Sequence, residues 1–230
     1  MTSTRLPGKV MMPINGKINL AIMIDRIKKA KHINNIIVAT TINKQDDEIV
    51  QWCKKNDIDY FRGSEDNVYE RVLQTHQKFN TDIVVELTGD CPLIDPSVID
   101  KAISLYQNSN FDHISTSWNY PLGMAVQVYS LETLKSVSKN RELEYQDMEH
   151  VTPYVYTSGK YTTKHIEPEE YEILENLSVT LDTKEDFQVI QNVCKNFLNF
   201  DFTLEDIVSF AKDNPTKVIA NQNTHRKGLS

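Results

Sequence analysis

The chain has 230 residues, of which 40% are apolar, so it is long enough to bury a sizeable core within a single domain spanning residues 1–230. It carries 25 Lys and Arg residues against 32 Asp and Glu residues, a net charge of -7, and this acidic balance argues against a general nucleic-acid partner. No stretch approaches the roughly 20 apolar residues of a membrane span, and the N-terminal residues lack a signal peptide's apolar core. The three cysteines are an odd number at wide spacing, so we expect no disulfide framework and a cytoplasmic protein.

Helical and strand patterns alternate over the first half of the chain. In order, they predict a helix over NLAIMIDRIKKAKH, a strand at NIIVATT, a helix over DDEIVQWCKKND, a strand at IDYFRG, a helix over VYERVLQTHQKF, a strand at DIVVELTGD and a helix over DPSVIDKAISLY. Asp95 and Pro96 suit the N-cap and the first turn of the last of these helices. Alternation of this kind predicts an α/β fold with a mostly parallel sheet flanked by helices.

The alternation breaks between about residues 112 and 170. This aromatic-rich segment predicts a strand at GMAVQVYS, a helix at LETLKSV and a helix over YQDMEHVTPYVY that is interrupted at Pro153. We interpret it as an insertion that covers the active site, forms a dimer contact, or both. A strand at LSVTLDT and helices over KEDFQVIQNVCKNFL and TLEDIVSFAKDN follow, and Thr203 and Asp206 have capping-box spacing.

Acidic residues come directly after two of the apolar strands. Ligands bind at the carboxyl ends of parallel strands, and there Asp90 and Asp182 would converge. Two carboxylates suit Mg²⁺, which proteins usually hold through one or two carboxylates together with phosphate oxygens. Each Asp could instead merely organise a turn, but Thr183 and Asp186 fill the capping role beside Asp182 and leave it free to point into the crevice.

The segment TSTRLPGK offers groups that bind phosphate. Arg5 presents a planar fork, Lys9 a point charge, and Gly8 allows close backbone approach. The spacing is not that of a Walker A loop. The alternative interpretation is an exposed basic N-terminus. Arg62, in RGSED, is likewise either a ligand contact or a turn residue that pairs with Glu65 or Asp66.

Cys91 and His150 are the candidates for nucleophilic catalysis. A Cys–His pair needs a group that orients the base, and no such third residue can be identified in the sequence. We therefore interpret Cys91 as a small, partly buried residue beside the metal site. We interpret His150 as a structural residue or a contact at the rim of the site.

Six motifs occur in a fixed order along nearly the whole chain: STRLPGKV, VATT, FRGSEDNV, LTGDCPLIDP, EHVTPY and LDTKEDF. Together they resemble the cytidylyltransferases of the spore-coat polysaccharide type, which are similar to acylneuraminate and 3-deoxy-manno-octulosonate cytidylyltransferases. The resemblance implies a nucleotide-diphospho-sugar transferase (Rossmann-like) fold. It also implies that CTP and an acidic, nonulosonate-like sugar give a CMP-sugar and pyrophosphate, for surface polysaccharide or glycan biosynthesis.

The resemblance also implies roles for individual residues. Lys9, Arg5, Asp90 and Asp182 would be catalytic, and the two Asp residues would hold Mg²⁺. The residues expected to contact the nucleotide or the sugar are Ser3, Arg5, Gly8, Lys9, Arg62, Gly63 and Ser64. A homodimer built through the insertion around residues 118–168 is expected from its density of Trp and Tyr residues, because aromatic residues are enriched at interfaces.

The chain departs from the family pattern at two places. In the family an apolar strand and an Ala-Arg pair precede STRLPGK, so we expect the fold to lack its first strand here and the natural polypeptide to begin upstream of Met1. Ala125 and Gln127 stand where the family tends to carry acidic residues, which bears on the sugar preference or on an extra metal contact. Two other functions stay open: a metal-dependent glycosyltransferase of the same fold, and an N-terminally truncated, inactive sugar-nucleotide binder.

Overall fold

The computed structural model describes residue 3 and residues 5–140, 142–168 and 177–221. Its elements up to the insertion are β1 Pro13–Ile14, β2 Lys17–Ile18, α1 Asn19–Ile27, β3 Ile37–Thr41, α2 Asp47–Lys55, β4 Asp59–Gly63, α3 Val68–Lys78, β5 Ile83–Glu86 and α4 Pro96–Gln107. Each helix and strand predicted for this half is present, and the Asp95 carboxylate caps α4 by accepting a hydrogen bond from the Ser97 N–H. The α/β class is therefore confirmed.

The second half contains β6 His113–Thr116, β7 Gln127–Ser130, α5 Leu131–Asn140, α6 Tyr145–His150, α7 Pro153–Thr157, β8 Thr163–Ile166, α8 Lys184–Asn196, α9 Leu204–Asp213 and α10 Pro215–Val218. The helix predicted over YQDMEHVTPYVY is interrupted between α6 and α7, just before Pro153, as predicted. Two short strands, β6 and β8, lie in the insertion where no strand was predicted. The strand predicted at LSVTLDT is wrong: in its described residues only Ser178 makes a β-bridge, to Leu122.

The strands form two main sheets. β3 and β4 pair in parallel, and a second sheet has the order β5-β7-β6-β8. Within it β6 and β8 are parallel, whereas β7 runs antiparallel to both of its neighbours. β7 runs antiparallel to β6 because the connection between them, residues 117–126, contains no crossover helix. β1 and β2 form a small separate hairpin.

Helices cover both faces of β5. Ile83 and Val85 pack against the large core that contains α1, α4, α8 and α9, whereas Val84 packs into a second cluster with Tyr69 of α3 and Tyr129 of β7. Between β3 and β5 lies a cavity of about 690 Å³ that both strands line. No helix in the described part of the chain is long and apolar enough to cross a membrane.

Candidate active site

The N-terminal loop is folded back on itself before α1. Gly8 has a φ of 72°, a left-handed conformation that glycine adopts without steric cost, and a short 3₁₀ turn over Lys9–Met11 follows it. The hydroxyl of Ser3 accepts a hydrogen bond from the Leu6 N–H at 3.3 Å. This compact turn directs the Lys9 side chain toward the carboxyl end of β5.

Lys9 lies between the two predicted metal-binding carboxylates. Its Nζ is 2.6 Å from Asp90 Oδ2 and 2.6 Å from Asp182 Oδ1. Arg5 contacts the other oxygen of Asp182, with Nη2 at 3.0 Å from Oδ2. Four residues predicted from motifs and strand ends thus converge on one place, although Arg5 and Asp182 are 177 positions apart in the chain.

The electrostatics of this cluster favour the charged forms of Lys9 and Asp90. Burial disfavours the ammonium of Lys9, but the charge of Asp90 and hydrogen bonds to both carboxylates outweigh it and raise the pKa of Lys9. Burial would likewise raise the pKa of Asp90, yet the Lys9 charge and the hydrogen bond from Lys9 lower it. Lys9 and Asp90 therefore each stabilise the charged form of the other.

Backbone contacts hold the two carboxylates side by side. The Leu181 N–H donates to the carbonyl oxygen of Asp90 at 2.7 Å, which ties the turn after β5 to the segment before α8. The Asp182 N–H donates to Asp186 Oδ2 at 3.0 Å, and Asp186 also caps α8 together with Thr183. The predicted capping box is thus present, and it leaves the Asp182 carboxylate directed toward Lys9.

The donor set at this place fits a divalent cation that keeps other oxygen ligands. Among the described residues no group of three or more His, Cys, Asp or Glu side chains could enclose a metal ion. Asp90 and Asp182 supply two carboxylates, and the Lys9 ammonium already shows that a cation is accommodated between them. Two carboxylates completed by phosphate oxygens and water are typical of Mg²⁺, and a Zn²⁺ site would be built from Cys and His.

Arg62, Gly63 and Ser64 organise the loops after β3 and β4. The Arg62 guanidinium donates to the carbonyl oxygens of Thr41 and Asn43 and pairs with Asp47 Oδ1 at 2.7 Å. Its ion-pair partner here is therefore Asp47, the first residue of α2, where the sequence suggested Glu65 or Asp66. A Cβ on Gly63 would lie 2.9 Å from Cγ of Arg71.

Ser64 has a turn-forming hydrogen bond of its own. Its hydroxyl accepts from the Asn67 N–H at 3.0 Å, at the start of α3. The structure does not bring these three residues into the Lys9 cluster, and their contact with nucleotide or sugar stays a prediction.

Cys91 is a buried thiol in the turn beside Asp90. Its Sγ lies 3.1 Å from the Thr88 hydroxyl, and burial raises the pKa of the thiol to about 12. A thiol with this pKa stays protonated at neutral pH and is a poor nucleophile, which favours the structural interpretation. His150 ends α6 with a half-exposed side chain, 4.0 Å from a carboxylate oxygen of Glu149.

Sequence reasoning missed one residue that supports the site. Asn19 is fully buried at the start of α1 and donates from Nδ2 to the carbonyl oxygen of Gly89 at 2.9 Å, next to Asp90. The sequence signal that could have identified Asn19 was its position. It is a polar residue at the start of an apolar helical pattern, shortly after the loop TSTRLPGK that offers phosphate-binding groups.

Comparison with known proteins places this geometry in a family. A sequence model described as Cytidylyltransferase matches residues 1–222. The chain is 35% identical over 226 residues to "Uncharacterized protein MJ1063" of Methanocaldococcus jannaschii, covering 98% of this chain and 92% of that protein. It is 33% identical over 198 residues to the spore coat polysaccharide biosynthesis protein SpsF of Bacillus subtilis, covering 83% and 81%.

A solved structure agrees with the sequence matches. The cytidylyltransferase from Leptospira borgpetersenii superposes with a TM-score of 0.89 at 30% identity, covering 99% of this chain and 95% of that one. The enzyme class and the nucleotide-diphospho-sugar transferase fold that the motifs implied are thereby confirmed. The chain belongs to the cytidylyltransferase family.

Proposed function

We propose that the protein transfers CMP from CTP to an acidic, nonulosonate-like sugar in the cytoplasm and releases pyrophosphate. The observation that carries this proposal is Lys9 held between Asp90 and Asp182, with Arg5 beside them. A role in surface polysaccharide or glycan synthesis is supported by the similarity to a protein named for spore coat polysaccharide biosynthesis. An acidic sugar is supported by the motifs shared with cytidylyltransferases that act on such sugars.

The chain's own residues would act mainly by charge and position. Arg5 and Lys9 bind phosphate oxygens of CTP, and the folded loop around Gly8 lets backbone N–H groups approach the same oxygens. Asp90 and Asp182 would hold Mg²⁺, which when bound neutralises charge on the triphosphate. With CTP present, the Lys9 ammonium exchanges a carboxylate partner for a phosphate oxygen.

The reaction then requires alignment of two substrates. An oxygen of the sugar hydroxyl forms a bond to the α-phosphorus as the bond from that phosphorus to the pyrophosphate oxygen breaks in line, and the hydroxyl proton leaves to solvent or to a phosphate oxygen. Holding both substrates in this geometry accounts for most of the acceleration expected here. Lys9 and Arg5 stabilise the negative charge that builds on the departing pyrophosphate.

The first test replaces one carboxylate. Asp90→Asn should lower pyrophosphate release from CTP, Mg²⁺ and sugar by about 100-fold or more while leaving the fold intact, because this partly exposed carboxylate adds little to core packing. Asp25→Asn is the matched control, since Asp25 forms an exposed ion pair with Lys17 away from the site. Normal turnover by Asp90→Asn in Mg²⁺ would contradict the proposed site.

A second test separates the substrates and the alternative functions. We expect pyrophosphate release with CTP and a nine- or eight-carbon 2-keto acid sugar, and little release with neutral hexoses or with ATP, GTP or UTP. Release with a neutral sugar alone would overturn the acidic-sugar assignment but keep the enzyme class. CTP binding without turnover over the whole sugar panel would identify an inactive binder, and transfer from a nucleotide-sugar would identify a glycosyltransferase.

A further inference from the structure

The turn that carries Asp182 is held by a residue from a distant part of the chain. Asn221 ends a short 3₁₀ turn that follows α10, and the residue is only 2% exposed. Its Nδ2 donates to the carbonyl oxygen of Ser178 at 3.1 Å and to Asp186 Oδ1 at 2.7 Å. Ser178 lies four residues before Asp182, and Asp186 lies four residues after it. We call residues 178–186 the Asp182 turn, and Asn221 bonds to both of its ends.

The amide group of Asn221 is oriented by the atoms that face it. Both are acceptors, a backbone carbonyl oxygen and a carboxylate oxygen, so Nδ2 and not Oδ1 points toward them. Oδ1 is buried without a hydrogen-bond partner among the residues that the structure describes. Within those residues, the side chain therefore makes hydrogen bonds only with the Asp182 turn.

Asp186 transmits this contact to Asp182. Its Oδ1 accepts from Asn221, and its Oδ2 accepts from the N–H groups of Asp182 and Thr183 at 3.0 and 2.9 Å. Asp186 is fully buried, and a buried carboxylate is stable only where hydrogen bonds replace its lost hydration. With Asn221 on one oxygen and the backbone of the turn on the other, the Asp186 side chain is held in one orientation.

The capping of a helix does not by itself require such a brace. Thr203 and Asp206 form the same capping box on α9, where the Thr203 N–H donates to Asp206 Oδ2 at 2.7 Å. Asp206 is exposed, so solvent can hydrate its carboxylate. At α8 the capping carboxylate is buried, and a third segment of the chain donates to it. The additional contact therefore indicates a need for precise placement of the Asp182 turn beyond the start of a helix.

The position of Asp182 in the candidate site accounts for that need. Its Oδ1 is 2.6 Å from Lys9 Nζ, and the neighbouring Leu181 N–H donates to the carbonyl oxygen of Asp90 at 2.7 Å. A shift of the Asp182 turn would therefore change the spacing of the two carboxylates. Residues that orient a metal ligand through hydrogen bonds change metal affinity or activity by about 10- to 100-fold when they are replaced.

We propose that Asn221 is a positioning residue of the active site, which acts through Asp186 to hold Asp182 at the separation from Asp90 that the proposed Mg²⁺ site requires. The inference rests on the proposed function for the identity of what binds there, whereas the brace itself is a property of the free protein. The segment that follows α9 is thereby coupled to the site, although it contributes no group to the binding of substrate or metal.

Amide hydrogen exchange tests the brace without substrate or metal. We expect Asn221→Ala to speed exchange of the Asp182 and Thr183 N–H groups by about 10-fold relative to the Thr203 N–H, the corresponding amide of the other capping box. Val218→Ala is the matched control. The Val218 side chain is buried in the same segment and is purely apolar, so its truncation should lower the melting temperature without this selective change.

A second variant keeps the volume of the side chain. Asn221→Asp places an acceptor opposite Asp186 where a donor stood, so it should speed exchange of the same two amides at least as much as Asn221→Ala. It leaves no cavity, which separates loss of the hydrogen bond from loss of packing. Loss of the fold in both variants would overturn a local role, because it would show that Asn221 holds the whole molecule together.

The Mg²⁺ dependence of pyrophosphate release tests the effect on the site. With CTP and an active sugar, Asn221→Ala should raise the Mg²⁺ concentration for half-maximal rate by about 10-fold, and saturating Mg²⁺ should restore most of the rate. Val218→Ala should leave that concentration unchanged. Unchanged exchange at Asp182 and Thr183, or an unchanged Mg²⁺ dependence, would overturn the proposal. A chain that releases no pyrophosphate with any sugar would contradict the proposed reaction, and the exchange rates alone would then decide whether the brace exists.

Discussion

Two nearby carboxylates, Asp90 and Glu86, have pKa values shifted in opposite directions. Lys9 contacts Asp90 and Asp182 at 2.6 Å each, and its charge lowers the pKa of Asp90. Four residues before Asp90, Glu86 is in the opposite situation. Its side chain is partly buried, and burial raises its pKa to about 7, although the Tyr129 hydroxyl donates to Oε2 at 2.5 Å and opposes the shift.

Glu86 makes stability depend on pH in a defined direction. Its folded pKa of about 7 lies above the value of about 4.3 expected in the unfolded chain. The stability that it contributes is therefore fully present below about pH 4 and is lost as the pH rises through 7. Glu86→Gln keeps an acceptor for Tyr129 and removes the ionisation, so it should raise the melting temperature at pH 8 but change it little at pH 5.

The control for Glu86 is Glu132→Gln, which changes an exposed carboxylate on α5 that pairs with Lys135. Thermal melts of the three proteins at pH 5 and pH 8 give the comparison. An equal shift for Glu86→Gln at both pH values would show that ionisation of this side chain is not the cause.

Residues that end strands were predictable, whereas residues that are buried through tertiary contacts were not. Asp90 and Lys9 were identified because strand-end carboxylates and a Gly-containing basic loop carry their chemistry in local sequence. Glu86 sits in an apolar strand, and its pKa is raised by burial, which tertiary packing decides; the hydrogen bond that it accepts comes from Tyr129, 43 positions away. Asn19 supports Gly89 across 70 positions, and no local pattern indicates that contact.

At the scale of elements, the two capping boxes provide a matched pair. Thr183 and Asp186 cap α8 next to Asp182, and Thr203 and Asp206 cap α9 away from the cluster. Thr183→Ala and Thr203→Ala should each lower the free energy of unfolding by about 1 kcal/mol. Only Thr183→Ala should also lower pyrophosphate release, because the cap it removes positions the Asp182 backbone.

Denaturant unfolding and initial rates on both variants separate stability from activity. Equal activity losses in Thr183→Ala and Thr203→Ala would mean that general destabilisation explains the effect. Unchanged activity in Thr183→Ala would mean that Asp182 is held in place without its cap.

Glycine marks the junction between the insertion and the segment before α8. Gly123 has a φ of 100°, and a Cβ there would lie 2.7 Å from the backbone nitrogen of Thr180. Gly159 also has a positive φ, of 69°, but a Cβ there would meet nothing within 4 Å. Gly123→Ala should therefore cost several kcal/mol, about 3 or more, and Gly159→Ala only about 1 kcal/mol of backbone strain. Equal melting temperatures for the two variants would exclude the close approach as the cause.

Periodicity predicted the elements that have a long amphipathic or apolar pattern and missed the short ones. α1 through α4 alternate with apolar strands, and the periodicity of the sequence predicted each of them. β6 reads HIST and β8 reads TKHI. These short strands carry little apolar pattern, and they are held by pairing: β6 pairs with β7 on one side and with β8 on the other. The run LSVTL has strand composition, but in its described part it packs against the turn at Leu122 and Gly123 instead of joining a sheet.

At the scale of the whole molecule, the exposed aromatic residues of the insertion bear on assembly. Of the aromatic residues that motivated the homodimer, Trp118 and Tyr145 are 73% and 71% exposed. Tyr120 is buried, and Tyr154 packs edge-to-face on Tyr161, so these two serve the fold of the chain itself. The composition could not distinguish the two uses, because burial of an aromatic side chain is decided by tertiary packing.

The exposed side chains of Trp118 and Tyr145 allow a test of the prediction that a homodimer forms through residues 118–168. We expect light scattering to give the mass of a dimer at micromolar concentration, because large aromatic side chains supply much of the binding energy of interfaces. The double variant Trp118→Ala, Tyr145→Ala should shift the dimer–monomer transition to concentrations higher by about 100-fold. Leu198→Ala is the control, since Leu198 is 88% exposed but lies outside the insertion. A monomer mass for the unchanged chain, or an equal shift in the control, would show that the insertion does not form the contact.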